Sequence, residues 1–473
     1  MGSSDWLYRA LQEIAGRDFV SGEPEEKYIY GRIPSGVRTG DFDYLVLPGT
    51  VQQVQKIVRL AAREGVPIVP VGGGLSLSDL TVPLKGGIVM DMKRMDAILR
   101  VNEQSRFAVV EAGVSIGKLV GYFQQHHPRL RISVADAPPS ATICGNCLIY
   151  GSGHLSKYGA HSEMINGLEV VLHSGEVCRL GYCADGPGPC LPDLTGLFAN
   201  WFGGTGIVTK LSLKLYPRHR FREVLIFKIE NPDTIPEAIQ RVTATGILED
   251  VLIFAMKQKE SSLPMTLLQL FITADTPREM ALKRELLTDL YAHCQNRGSS
   301  ILPVPNSLFP DKFIDDLLAE PKLGIEGSVD NRKGGGSAYV GASLPLEKIP
   351  AAYRGGLEIS RKYGFTGPLY TIRNIGLGHS VIFTFMYPYS RDDPESFARM
   401  QKASREAVQL IQGIDGVVWK AAAEKQKEIL AAMDPGNREL IRRVKQEMDP
   451  RGIFNPGNWD HDVPRESGKS FLN

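Results

Sequence analysis

The sequence predicts an α+β protein of two domains and a returning tail, and three observations carry that prediction. A strand–helix–strand pattern from 42 to 74 runs directly into Gly72-Gly73-Gly74. The rest of the first half is strand-rich and punctuated by glycine, whereas beyond Pro217 amphipathic helical stretches alternate with strands. The last residues, MDPRGIFNPGNW, hold too much Pro and Gly for a helix and read as a tail folded back onto an earlier surface.

In the first unit, YLVLP is a short apolar run closed by Pro48-Gly49. Val51, Val54, Ile57, Val58, Ala61 and Ala62 then recur at helical spacing, with Thr50 as N-cap and Gly65 as stop. VPIVPV follows as a buried strand. Further strands are expected at 87–92, 98–102, 107–113, 168–180 and 206–217, with Ser174-Gly175 marking a hairpin. In the second half, helices are expected at 277–295, 347–363, 394–412 and 421–447, and strands near 223–229, 266–273, 337–344 and 380–387. There is no internal repeat and no low-complexity segment.

The 54 Lys+Arg and 53 Asp+Glu leave a formal net charge of +1, which speaks against a nucleic-acid binder or a polybasic membrane surface. Hydrophobic residues at 43% and charged residues at 23% are those of a globular chain. No apolar run approaches the roughly 20 residues of a membrane span, and the N-terminus does not read as a secretory signal. Six cysteines are too sparse for a disulfide framework, so the expected compartment is reducing and cytoplasmic.

The strongest local signal is Pro70-Val-Gly-Gly-Gly-Leu75-Ser-Leu-Ser78 directly after a strand. Consecutive glycines let the backbone approach a ligand and turn several amide N–H groups toward one point, which suits a pyrophosphate; a tight turn is the plain alternative. The segment is neither GxGxxG opening a helix nor GxxxxGK[ST], so no Rossmann fold or P-loop is supported. Cys144-Gly-Asn-Cys147 has CxxC spacing, but no second pair or His cluster completes a zinc or iron–sulfur site, and two small buried cysteines are expected. The loop CADGPGPC, between Cys183 and Cys190, is assigned no chemistry.

Four blocks in order, VGGGLSLSD, GIVMDMKRMDAILRVN, ATICGNCLIYGSGHLSKYGAHSEMINGLEVVLHSGEV and DLTGLFANWFGGTGIVTKLSLKLYP, resemble the FAD-binding domain of the vanillyl-alcohol oxidase and p-cresol methylhydroxylase superfamily. KYGFTGPLYTIRN, FTFMYPYSRDDPESFARM and MDPRGIFNPG are similar to segments of that family's substrate (cap) domain and closing tail. The resemblance implies an FAD-binding domain of two subdomains at 1–221, an α+β cap at 222–447 and a tail at 448–473. It further implies that Gly72, Gly73, Gly74, Leu75 and Ser76 adjoin the FAD pyrophosphate. Ser140, Thr142, Gly145, Asn146 and Gly153 would line a second flavin loop, Gly206 and Ile207 would lie by the adenosine half, and Asn455 would bring the tail onto the cofactor.

The departures from the family carry information too. Members that attach FAD through a histidine in the first loop have it where this chain has Leu75, which excludes attachment there. Tyr339 and His379 remain as positions for attachment in the cap, and noncovalent FAD is the expectation. The positions matching the phenolate-holding residues of phenol-oxidising members are Leu77 and Trp419-Lys420, so only Lys420 could hold an anion. The D-lactate and glycolate dehydrogenase branch carries HxGDGNxH in the cap, whereas this chain reads Asn374-Ile-Gly-Leu-Gly-His379, and no metal is expected.

Arg373, His379, Lys420 and His154 remain as catalytic candidates, to hold a carboxylate or alkoxide and to take a hydroxyl proton, with surface or structural roles as the alternative. The expected function is an FAD-dependent dehydrogenase that oxidises a C–OH group of a small hydroxy acid or alcohol by hydride transfer to flavin N5, with electrons passed to a partner protein. That partner would be a cytochrome, an iron–sulfur subunit or an electron-transfer flavoprotein. The alternatives are a phenolic or benzylic oxidoreductase and a catalytically quiet FAD-binding subunit of a larger redox complex. Association with further copies of the chain is left open.

Overall fold

The computed structural model describes residues 3–32, 38–76, 78–181, 192–256, 265–295, 301–320, 335–365 and 369–460. Leu77, Cys183 and Cys190 lie outside the described residues.

The first half holds two sheets. Val20–Ser21, Tyr44–Val46, Ile88–Asp91 and Ile68–Val71 form the first in that order, with parallel pairing of Ile88–Asp91 to both Tyr44–Val46 and Ile68–Val71. The parallel pairing requires a crossover, and the helix Val51–Glu64 supplies it. Thr50 Oγ1 accepts from Gln53 N at 3.2 Å to start this helix, and Gly65 at φ 67 ends it, the left-handed conformation a Cβ would oppose. Its face of Val54, Ile57, Val58 and Ala61 is fully buried. The second sheet is antiparallel: Ile98–Asn102, Phe107–Glu111, Ile207–Lys214, Ile165–Val171 and Val177–Gly181. Both sheets share one apolar core, which also takes in Ile453 and Phe454 of the tail.

The second half is organised on one eight-stranded antiparallel sheet, ordered Ile301–Val304, Phe221–Ile229, Met265–Ala274, Leu248–Met256, Leu369–Ile375, Ser380–Ser390, Gly335–Leu344 and Val417–Trp419. Alternate residues point to opposite faces. One face, carrying Phe227, Ile253, Leu268, Ile372 and Phe383, is buried in a core shared with residues of the helices Ile235–Ala244, Pro277–Gln295, Ile349–Lys362 and Pro394–Gly413. The other face carries a cross-strand row of Ile226, Gln269, Leu252, Arg373 and Ile382. This second face meets the first half of the chain.

A buried ion cluster ties the two halves together. Arg131 donates to both Glu249 and Glu320, Arg222 Nε donates to Glu249 Oε2 at 2.8 Å, and Arg218 pairs with Glu320 at 3.1 Å. Burial opposes ionisation of Glu320, but the nearby His154 ring and the charges of Arg131 and Arg222 outweigh it and hold the carboxyl down to about 2.

The sequence predicts one helix over 421–447, and the structure has two, Ala423–Ala432 and Pro435–Met448. Pro435 pushes the preceding residue into extended backbone, Asp434 at φ −49 and ψ 131, and the Asp434 side chain then caps the second helix by accepting from Asn437 N at 3.0 Å. Among the described residues no helix is long and apolar enough to cross a membrane.

Candidate cofactor and substrate site

The strand Ile68–Val71 delivers Gly72, Gly73 and Gly74 against the segment 140–142. A Cβ at Gly72 would drive into Thr142 Oγ1, and one at Gly73 would stand 2.8 Å from Ser140 O and 2.9 Å from Ala141 Cα. The two loops therefore pack backbone to backbone, and glycine is the residue that permits it. Ser76 Oγ accepts from Ser78 N at 3.2 Å, and Leu75 packs onto the core of the first half.

Thr142 starts the short helix Ile143–Leu148 by accepting from Gly145 N at 3.3 Å. Asn146 on that helix is hydrogen-bonded through Oδ1 to His161 Nδ1, and His161 Nε2 lies 2.7 Å from Ser133 Oγ. Gly153 closes on Val134 O and the His161 ring, where a Cβ has no room. Gly206 and Ile207 open the strand Ile207–Lys214 against Val170 and Phe198. Cys144 and Cys147, on the helix Ile143–Leu148, turn into the core and are buried there.

The tail comes to the same place. Ile68 N donates to Ile453 O at 2.7 Å and Asn455 N to Ile68 O at 2.8 Å, so the tail runs alongside the strand that feeds the glycine triplet. Asn455 Nδ2 donates to Leu80 O at 2.8 Å and Phe202 O at 2.6 Å, while its buried Oδ1 has no partner among the described residues.

Opposite these loops stands the inward face of the large sheet. Arg373 is buried and donates to Asp250 at 2.6 Å and to Asp136. Burial opposes the guanidinium's charge, but Asp136 and Asp250 outweigh it and raise the pKa. His154 is fully buried, with Nε2 3.4 Å from Asp136 Oδ1 and Nδ1 3.6 Å from Glu320 Oε1, and its ring stacks on Phe271. Asp136 is the outward member of this group, its side chain 39% exposed.

Lys420 follows the edge strand Val417–Trp419 at φ 51, and its Nζ lies 4.0 Å over the Trp419 ring. Among the described residues it has no carboxylate or hydrogen-bond partner. Desolvation lowers its pKa to about 8. Trp419 is fixed in turn by donating from Nε1 to Tyr150 O at 2.7 Å. Tyr339 packs beside Trp419 with ring centroids 5.6 Å apart; burial and then the Asp136 charge keep its phenol protonated. Burial, then the charges of Arg373 and Lys420, lower the His161 pKa to about 3, so its imidazole is neutral at ordinary pH.

Arg373, His154 and Lys420 are thus brought around one electrostatic centre, and His379 is not. His379 sits exposed in the turn between Leu369–Ile375 and Ser380–Ser390, beside Gly376, three residues before Ile382, the residue that pairs with Arg373. Two carboxylates occupy the Arg373 guanidinium, and the trio carries a net negative charge.

Three residues of the cluster, Asp136, Asp250 and His161, were not picked out from the sequence. Asp136 carried one signal: a charge between the apolar run RISVA and Pro138-Pro139, where a chain leaving a buried strand has no structural need for a carboxylate. Among the described residues no group of His, Cys, Asp and Glu is arranged to hold a metal ion.

Residues 42–181 match the family described as FAD binding domain, and residues 331–459 match FAD linked oxidases, C-terminal domain. The chain belongs to the vanillyl-alcohol oxidase and p-cresol methylhydroxylase superfamily of FAD-linked oxidoreductases. This flavoprotein is 32% identical over 223 residues to the glycolate oxidase subunit GlcD of Bacillus subtilis, which covers 45% of each chain. It is 23% identical over 512 residues to the flavoprotein subunit of 4-cresol dehydrogenase (hydroxylating) of Pseudomonas putida, covering 98% of this chain and 96% of that one. In solved structures its fold is similar to p-cresol methylhydroxylase with substrate bound, with TM-score 0.83 at 21% identity and 96% of both chains covered.

The cofactor of this flavoprotein is FAD, and the residues present fit it. The glycine triplet brings its backbone against residues 140–142, a close approach that any Cβ at 72 or 73 would spoil, and the buried Asn455 Oδ1, unpartnered among the described residues, offers an acceptor at the tail.

Proposed function

We propose that this oxidoreductase is a dehydrogenase of a small hydroxy acid or alcohol that binds FAD noncovalently and passes electrons to a separate acceptor protein. The observation that carries this reading is the pairing of one carboxylate open to the site, Asp136, with one cation that lacks a carboxylate partner, Lys420. FAD, when bound, supplies the hydride acceptor. Lys420 holds the anionic end of the substrate, and desolvation strengthens that attraction. Asp136 accepts the hydroxyl proton, and Arg373, itself anchored by Asp250, fixes the orientation of the carboxylate. Tyr339 donates a hydrogen bond to the substrate oxygen from a phenol that stays protonated. His154 and Phe271 form the wall behind Asp136 and exclude water.

The flavin-bearing loops of the proposal are 72–76, 140–153 and 203–207 with Asn455. Leu75 occupies the place of the histidine through which relatives hold FAD covalently, which supports noncovalent binding. Acid precipitation tests this directly: the yellow colour is expected in the supernatant, and colour that stays with the pellet would overturn it.

A phenolic substrate is the second reading, favoured by the TM-score of 0.83 to p-cresol methylhydroxylase over 96% of both chains. Lys420 and Tyr339 would then hold a phenolate. Anaerobic titration of the purified flavoprotein with hydroxy acids, aliphatic alcohols and phenolic alcohols separates the two. Bleaching of the flavin by a hydroxy acid or alcohol is expected, bleaching by phenols alone would replace the first reading with the second, and bleaching by none would favour a subunit reduced only by its partner.

A further inference from the structure

We propose that the buried pair Lys445–Asp449 is a latch that retains FAD, with Lys445 as its positioning residue. The inference rests on the reading that the FAD pyrophosphate lies on the glycine triplet.

Lys445 belongs to the helix Pro435–Met448 and its side chain is 1% exposed. A buried ammonium has three N–H donors to satisfy, and here all three find oxygen: Asp449 Oδ2 at 2.9 Å, Phe454 O at 2.9 Å and Gly204 O. The Asp449 carboxylate also accepts from Ile453 N and Phe454 N, each at 2.9 Å. The node is therefore complete, and it pins the turn 449–454 at both ends.

What that turn holds in register is the cofactor site. Directly after it Asn455, at φ 38, reaches Leu80 O and Phe202 O, and Ile453 and Asn455 flank Ile68. Leu80 follows the glycine triplet, Ile68 begins the strand that leads into it, and Phe202 and Gly204 precede Gly206. Gly203 packs so tightly on Pro70 that a Cβ would collide with the proline ring. Chain segments far apart in sequence thus converge on one ammonium, and each leads into a loop assigned to FAD. A hydrophobic side chain of similar length at 445 would fill the volume but leave Gly204 O, Phe454 O and Asp449 without their shared donor.

The test compares wild type with Lys445→Met and the double variant Lys445→Met/Asp449→Leu, each as holoenzyme, with Gly73→Val as the reference for loss of the loop itself. FAD release is followed by the rise of free flavin fluorescence on dilution, at a temperature where near-ultraviolet circular dichroism shows every protein folded. Melting temperatures are measured with and without FAD. A latch predicts FAD release at least tenfold faster in the latch variants and a smaller gain in melting temperature on adding FAD. A purely structural role predicts equal falls in both melting temperatures with unchanged release, and that result would overturn the proposal. Should Lys445→Met fail to fold, the double variant, which strands no charge, decides the matter by the same readouts. Retention of FAD by Gly73→Val would overturn the loop reading; loss there with normal retention in the latch variants would overturn the latch alone.

Discussion

Asp136 and Arg373 lie 237 residues apart in the chain and meet as a hydrogen-bonded carboxylate–guanidinium pair where the first half packs on the large sheet. Arg373 is spent on holding carboxylates, and in the proposed mechanism Asp136, its side chain 39% exposed, takes the substrate proton. Asp136→Asn is accordingly expected to slow substrate reduction of the flavin by about 10²-fold or more while FAD stays bound. Stopped-flow bleaching under anaerobic conditions checks this, and an unchanged rate would remove Asp136 from the reaction.

Lys420 gives a prediction about pH. Its pKa is lowered to about 8 by desolvation, so the cation is present below that pH and lost above it. The KM for a carboxylate substrate is expected to rise with pH beyond about 8, and Lys420→Met is expected to raise KM at pH 7 and flatten the profile. A neutral alcohol should show neither effect.

His161 predicts an acid sensitivity. Its pKa is about 3 in the folded protein against an ordinary 6.5, so the unfolded chain binds the proton more readily. Stability is then fully present above pH 6.5 and falls as pH drops from 6.5 toward 3, by up to about 1.4 kcal/mol per pH unit. Urea titrations at a series of pH values should show that slope reduced in His161→Gln. An equal slope in both proteins would mean that other groups carry it.

Glu320 acts in the neighbouring window. Its pKa is depressed to about 2 from 4.5, so its contribution is present above pH 4.5 and lost as pH falls toward 2. Removing the carboxylate leaves Arg131 and Arg222 sharing Glu249 in a buried site with excess positive charge, and Glu320→Gln is expected to cost about 3 kcal/mol at neutral pH. Chemical denaturation measures it, and a change below about 1 kcal/mol would count against the cluster as a tie between the halves.

Part of the fold was legible from local chemistry. Thr50 and Gly65 marked the ends of a helix because capping and the left-handed stop depend on the residues themselves. The helices Ile116–His126 and Asp311–Leu318 were not read from the sequence, although Ser115 caps the first by accepting from Lys118 N at 3.1 Å. The expected helix over 421–447 broke because the effect of Pro435 on Asp434 outweighed helical periodicity on either side.

In the site, glycine made the loops visible. Gly72 and Gly73 stood out as a run, while the reason for them, the backbone of 140–142 lying against them, is a contact across about seventy residues. His379 attracted attention as a histidine near a motif position, yet a turn between two strands carried it out to solvent.

The sequence by itself determined the α+β class, the FAD-binding family and the absence of a first-loop histidine, because each depends on residue type or on local order along the chain. Only the tertiary structure decided which charges meet. Whether Arg373 is an anion anchor or a paired scaffold depends on Asp136 and Asp250, and whether Lys420 is a solvated lysine or a desolvated cation depends on the strands and loops around it. Charge and desolvation act through space, and the distances that govern them exist only once the halves of the chain have packed together.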